Sequence, residues 1–333
     1  MVWLRVVWCA ALIAMGALGC VSAEAQCTAY VATHKSNSVA VVDTALDRVV
    51  TVIPVQIQPL AVAITPDRSY AYVTNSGWMF GSNSVSVIDT ATNAVVATIR
   101  VGSFPVGVAF TPNGASAYVA NFNSNSVSVI DTATKSVTAT IPVGNGPWGV
   151  AITPNGALAY VTNVNSNNVS VIDTASKSVV ATVAAGTGPV AVAIKPNGTT
   201  AYVANQTSND VSVIDVATNA VVASVQVGNG PYALAATPNG AVIYVANAAS
   251  STVSVIDTAT NNVAATVIVG STPHGVAVTP DGAFAYVTDQ VANSISVIDT
   301  ATNTVVDTIQ GVSVLPEGIA MMLQKNALKY SCR

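Results

Sequence analysis

Two histidines, His34 and His274, and one glutamate, Glu317, are the side chains of this sequence best suited to acid–base chemistry near neutral pH, since an imidazole changes charge in that range. Brought together, His274 and Glu317 would supply a general base and the carboxylate that orients it. With His34 added, the set matches two-histidine, one-carboxylate metal sites in composition, although no spacing supports the match. Seven aspartates, Asp43, Asp89, Asp131, Asp173, Asp215, Asp257 and Asp299, recur at regular intervals, each before a turn. Asp in such a place accepts hydrogen bonds from turn amides, so the repeated carboxylates read as structural. The chain has no G-x-S-x-G nucleophile elbow, no C-x-x-C-H haem attachment and no glycine-rich phosphate loop.

Whether the candidate residues meet depends on the elements that carry them. Tyr30, Tyr72, Tyr118, Tyr160, Tyr202, Tyr244 and Tyr286 follow one another at steps of 42, 46, 42, 42, 42 and 42 residues. A period of about 40–45 residues is that of propeller blades. Residues 147–183 show one unit: Pro147 to Ile152, a Thr-Pro-Asn-Gly turn, Ala159 to Asn163, a polar loop, Val169 to Asp173, a second turn, and Val179 to Val183. Four short β-branched runs between turn residues predict a four-stranded antiparallel meander, strands A to D from the hub outward. Asn-Gly and Asp-Gly pairs, such as Asn113-Gly114 and Asp281-Gly282, suit the A–B hairpins. So small a sheet buries both faces only between neighbours, which predicts an all-β, seven-bladed β-propeller. A β-solenoid is the rival, but the chain ends argue for a closed ring. The chain starts at strand B, near Tyr30, and finishes on an A-like run, Leu315 to Ala320. Pairing of that C-terminal strand with the N-terminal three strands would close the ring and remove the exposed sheet edges.

In a meander, the D–A and B–C connections share one face of the disc. The residue after each A-strand proline should ring the channel mouth there: Leu60, Val106, Trp148, Val190, Tyr232, His274 and Glu317. The loops add Trp78, Met79, Phe80, Phe104 and Phe122 as an aromatic sector beside Trp148. His34 and Lys35 join Tyr232, His274 and Glu317 in a polar arc, where Asp289 stands in place of the asparagine found in most blades. Aromatics gathered on one surface suggest a binding site. The structural alternative is that they plug the channel mouth.

The charge balance narrows the partners. Only 8% of residues are charged, net −4, with 15 acidic against 11 basic side chains. The basic ones are scattered, so no phosphate-binding face is offered and nucleic acid is not an expected partner. After residue 25, no apolar run approaches the ~18 residues that suggest a membrane span. Residues 1–25 read as a signal peptide, with Arg5, the apolar run Val6 to Leu18, and Ala23-Glu24-Ala25 before cleavage at Gln26. Lipidation of Cys20 and an uncleaved anchor remain alternatives. The single domain then spans 26–333, in a secreted or periplasmic protein expected to be a monomer. The mature chain would keep Cys27 and Cys332, which ring closure brings into one blade, and a disulfide between them is expected.

Tyr72-Val73-Thr74-Asn75 and Tyr160-Val161-Thr162-Asn163 spell the YVTN signature, with Ser84 to Thr90 and its copies as a companion motif. Over about residues 28–323 the chain resembles the YVTN-repeat propellers of exported bacterial proteins and archaeal surface layers. Related propellers include lactonases, lyases and haem-carrying domains, so the fold does not decide the chemistry. A lactonase of related fold would offer several acidic residues around its channel for a divalent metal, whereas this rim has Glu317 and Asp289. The reading drawn from the sequence is a non-enzymatic scaffold without cofactor, binding a peptide, protein or glycan partner at the cell envelope through Trp78, Phe80, Phe104, Phe122, Trp148, Tyr232, His274, Glu317, His34 and Lys35. The alternatives are a lactonase- or lyase-like enzyme centred on His274 and Glu317, with His34 as a third candidate metal ligand, and a structural surface-layer component.

Overall fold

The computed structural model describes residues 27–77 and 82–323. Their 28 strands, numbered in chain order, form seven four-stranded antiparallel sheets. Six blades use consecutive strands, as in β12 (Pro147–Ile152), β13 (Leu158–Asn163), β14 (Asn168–Asp173) and β15 (Ser178–Ala184). The seventh sheet closes the ring. Its order is β28 (Pro316–Leu323), β1 (Cys27–Thr33), β2 (Ser38–Asp43) and β3 (Arg48–Pro54), with Tyr30 opposite Ala320. The expected seven-bladed propeller with C-terminal closure is therefore the observed one. Blades are numbered below by their B strand, β1 belonging to blade 1. Among the described residues helix is confined to two single 3-10 turns, Phe122–Ser124 and Val164–Ser166. Among the described residues no helix is long and apolar enough to cross a membrane.

Burial follows position in the blade. The B and C strands are almost wholly buried, because a neighbouring sheet covers each face. Each core cluster spans two adjacent blades: Tyr202, Val211 and Val213 of blade 5 pack with Ile243 and Val245 of blade 6. The outer D strands are instead exposed over most of their length, and their valines, among them Val96, Val180 and Val222, face solvent.

The signature tyrosine does more than fill this core. Its hydroxyl donates to the C–D turn of the next blade: Tyr30 to Asn93 Oδ1 at 2.7 Å, Tyr160 to Asn219 at 2.6 Å, Tyr202 to Asn261 and Tyr244 to Asn303 at 2.8 Å, and Tyr286 to Asp47 at 3.1 Å. Each acceptor sits in the left-handed region, where Asn is tolerated better than most residues. Blades 3 and 4 carry Lys135 and Lys177 at that position. Tyr118 falls back on the Thr174 carbonyl at 3.4 Å, and the buried Tyr72 hydroxyl has no hydrogen-bond partner. The repeated aspartates cap these turns as the sequence suggests; Asp89 Oδ1 accepts from the Ala91 and Thr92 amides at 2.9 Å. The asparagines ending the B strands tie B to C within a blade, as when Asn247 Nδ2 donates to Thr252 Oγ1 and Ser254 Oγ. Cys27 is buried and disulfide-bonded. Cys332, its expected partner, lies outside the described residues, as do the leader and Cys20.

Candidate active site

All seven predicted ring positions line one cavity of about 200 Å³ at the hub. Two backbone devices place them there. Each A strand opens on a proline, which the inner edge of a sheet tolerates because no ladder partner needs its missing N–H. One extra A-strand residue then follows in every blade: Pro273 faces Asp289 and Gly275 faces Thr288, so His274 is the extra residue of blade 7. Such a bulge re-aims a side chain. In addition, the residue before each of these prolines is left-handed. It is glycine in three blades (Gly146, Gly188, Gly230) and Gln58, Phe104, Thr272 or Leu315 in the others.

His274 and Glu317 meet. His274 Nδ1 lies 2.7 Å from Glu317 Oε2, with the two side chains 14% and 8% exposed, so the pair is enclosed but open to the cavity. Against a carboxylate, Nδ1 is the protonated nitrogen and donates, which leaves Nε2 to accept a proton. Three neighbours hold the pair. Gln290 Nε2 donates to Glu317 Oε1 at 2.6 Å. Thr288 Oγ1 donates to the Glu317 carbonyl at 2.6 Å and accepts from the Gly275 amide at 2.7 Å, tying blade 7 to blade 1. Gly275 itself abuts the Glu317 carbonyl so closely that a Cβ would clash. Tyr232 stacks on the imidazole at 4.0 Å and 21°. Burial, then the Glu317 charge, pushes the Tyr232 hydroxyl pKa far up, so this phenol stays neutral.

The aromatic sector continues from Tyr232. Trp148 meets Tyr232 edge-on at 6.0 Å and Phe122 at 5.5 Å, and Phe122 meets Phe104 at 5.5 Å. Phe104 is buried, and Phe122 and Trp148 are half-buried. These rings bury their edges in one another and form a wall beside the cavity, where the sequence suggested an exposed binding platform. Trp78 and Phe80 lie outside the described residues. Lys35 is exposed on the blade 1 B–C loop. His34 is half-buried next to it and does not line the cavity; its pKa is lowered chiefly by desolvation, with Glu317 opposing.

The candidate metal set is not assembled. Among the described residues no three His, Cys, Asp or Glu side chains are grouped to hold an ion. His274 Nδ1 and both Glu317 oxygens are already engaged within the protein. The donors at hand do not fit a metal, because His34 sits on a loop outside the cavity lining while His274 and Glu317, on adjacent blades, already engage each other. Asp289 is also apart from the cavity. It is buried, accepts from Ser296 Oγ at 2.7 Å and Ser294 Oγ at 3.3 Å, and burial pushes its pKa up to about 6.

The sequence reading missed Gln290 and Thr288. Gln290 had a visible signal. The first residue after each B strand reads His34, Ser76, Phe122, Val164, Gln206, Ala248 and Gln290, a second variable ring beside the one after the prolines. Thr288 gave none, since Thr also occurs at this place in blades that carry no dyad.

In comparisons with known proteins, the family described as Lactonase, 7-bladed beta-propeller, matches residues 131–266. No curated protein matches the chain. Among solved structures, hydrazine synthase of Kuenenia stuttgartiensis is similar over 80% of this chain and 96% of that one, at 23% identity and TM-score 0.71. A functionally unknown protein of Desulfotomaculum acetoxidans is similar over 88% and 98%, at 19% identity and TM-score 0.76. A candidate 6-phosphogluconolactonase of Bacteroides uniformis is similar over 90% and 100%, at 16% identity and TM-score 0.76. These likenesses carry the fold. Two expectations are corrected. The YVTN positions are buried blade-packing residues, which any propeller of this geometry can share, and the family that matches is the lactonase propeller family rather than the YVTN-repeat family. The non-enzymatic scaffold gives way for the same reason, and because the aromatic face is packed on itself: the match favours the enzyme that the sequence left as the alternative.

Proposed function

We propose that this chain hydrolyses a cyclic ester at the channel mouth, with His274 as general base and Glu317 as the carboxylate that orients it. The observation that carries the reading is the 2.7 Å contact from His274 Nδ1 to Glu317 Oε2 on the wall of the hub cavity. The lactonase match over residues 131–266, which ends before His274 and Glu317, supports the reaction class. In this reading His274 Nε2 takes a proton from a water molecule as the water oxygen bonds to the lactone carbonyl carbon. The ring C–O bond then breaks, and the departing alkoxide recovers the proton from the imidazolium, giving one hydroxy acid from one lactone and one water. Glu317 stabilises the imidazolium between the two transfers. Every donor in this sequence is a protein group or water. The disulfide at Cys27 supports export to an oxidising compartment.

The test is hydrolysis of a lactone panel followed by pH-stat. Removing a positioned base typically costs roughly 10²–10⁴ in rate, so His274→Ala should lose about that much kcat. Glu317→Gln should lose less, with an altered pH–rate profile because the orienting charge is gone. Full activity in His274→Ala would refute the assignment.

A further inference from the structure

Resting on the hydrolase reading above, we propose that the substrate is a small, uncharged lactone bearing an apolar ring, and that the mouth discriminates against phosphorylated sugar lactones. A phosphorylated substrate needs cations, commonly Arg or Lys, within hydrogen-bond reach of its phosphate. Among the described residues no Lys or Arg lines the cavity. The described cations are elsewhere. Lys135 and Lys177 lie in C–D turns and Arg68 in an A–B turn, on the face opposite the mouth. Arg100 ends a D strand and borders grooves on the outer rim. Arg100 and the exposed Lys35 stand on the mouth face but outside the cavity lining, while Lys195 lies in an A–B turn and Arg48 opens a D strand on the opposite face.

What the cavity does present is one carboxylate, Glu317, and an apolar wall. A dianionic phosphate would face Glu317 with no cation between them, and His34 nearby is disfavoured as a cation by desolvation. Trp148 and Tyr232, with Leu60, Val106 and Val190, instead give the cavity an apolar wall against which an apolar or aromatic ring can pack. The volume, about 200 Å³, is below the ~300–1,000 Å³ of pockets that hold drug-sized ligands. A one- or two-ring ester fits that limit.

The experiment uses the full-length protein and two readouts. Turnover is measured by pH-stat on dihydrocoumarin, δ-valerolactone and 6-phosphogluconolactone. Binding is measured by calorimetry with two stable probes, the lactam 3,4-dihydroquinolin-2-one and 6-phosphogluconate. We expect kcat/KM for dihydrocoumarin to exceed that for the phosphorylated lactone by at least ~100-fold, and the lactam to bind while 6-phosphogluconate does not. Trp148→Ala should raise KM for dihydrocoumarin about tenfold and leave kcat within about threefold. Equal or faster turnover of 6-phosphogluconolactone would overturn the proposal and leave the hydrolase reading standing. If no lactone is turned over but the lactam alone binds, the hydrolase reading fails and the ligand class stands. If neither probe binds and nothing is turned over, both fall.

Discussion

Replacing Asp289 by Asn should stabilise the protein at neutral pH and have little effect in acid. Five other blades end the B strand in Asn, and in blade 6 the amide of Asn247 donates to Thr252 Oγ1 and Ser254 Oγ. Blade 7 keeps the matching hydroxyls, Ser294 and Ser296, but gives them a carboxylate whose Oδ1 is buried without a partner. Its pKa rises from 3.8 to about 6 because burial disfavours the charge more than the serine hydroxyls favour it. A folded pKa above the unfolded one means that folding binds a proton. The group's stability contribution is therefore intact below about pH 4 and is lost as pH rises through about 6. At about 1.4 kcal/mol per pKa unit, the ionised form costs about 3 kcal/mol at pH 7.5 and well under about 1 kcal/mol at pH 4. Asp289→Asn should raise Tm by roughly 5 °C at pH 7.5 and by about 1 °C or less at pH 4. Calorimetric melts of both proteins across pH 4–8 read the difference directly, and the turn aspartates titrate alike in the two. A gain that is the same at both ends of that range, or no gain at pH 7.5, would refute the reasoning.

Lys135→Asn should return an acceptor to the buried Tyr72 hydroxyl and suit the left-handed turn, stabilising by about 1 kcal/mol in urea melts after loss of the cation–π contact with Tyr70. Thr272→Gly should gain about 1 kcal/mol, because blades 4 to 6 already place Gly at this left-handed position and a β-branched residue is strained there. Gly275→Ala should leave the fold standing but lower kcat at least tenfold in the pH-stat assay, since the added methyl displaces the Glu317 carbonyl. Cys332→Ser should lower stability by about 2–4 kcal/mol and expose one reactive thiol at Cys27, read by thiol titration of the unfolded chain.

The blade count, the closing strand and the ring of residues after the prolines were legible in the sequence because each follows from a repeat that must pack against copies of itself. Tyr160 announces its strand, and Pro147 announces where the next side chain is turned inward. The His274–Glu317 contact was legible only as shared membership of that ring; the bulge and the Thr288 tie between blades set its geometry, and neither has a local signature. The metal set misled because three suitable residue types on one face need not be at one radius. His34 belongs to the loop ring, His274 and Glu317 to the hub. The aromatic sector misled differently: composition records apolar rings but not that Phe104, Phe122 and Trp148 satisfy each other.

The left-handed residues before the A-strand prolines carry the argument for a site one step further. Blades 4, 5 and 6 meet this backbone demand with glycine, at no steric cost. Blades 7, 1, 2 and 3 meet it with Thr272, Leu315, Gln58 and Phe104, at about 1–2 kcal/mol each. The strained positions are contiguous around the ring, and that arc holds His274 and Glu317. Each such residue also accepts the amide of the first B–C loop residue: Thr272 from Gln290 at 2.9 Å, Leu315 from His34 at 2.9 Å. Conformation at Thr272 thus sets the residue that holds Glu317 Oε1. A repeat protein that relaxes this position in three blades and strains it in the four around its acid–base pair concentrates its departures from the repeat where the chemistry is proposed.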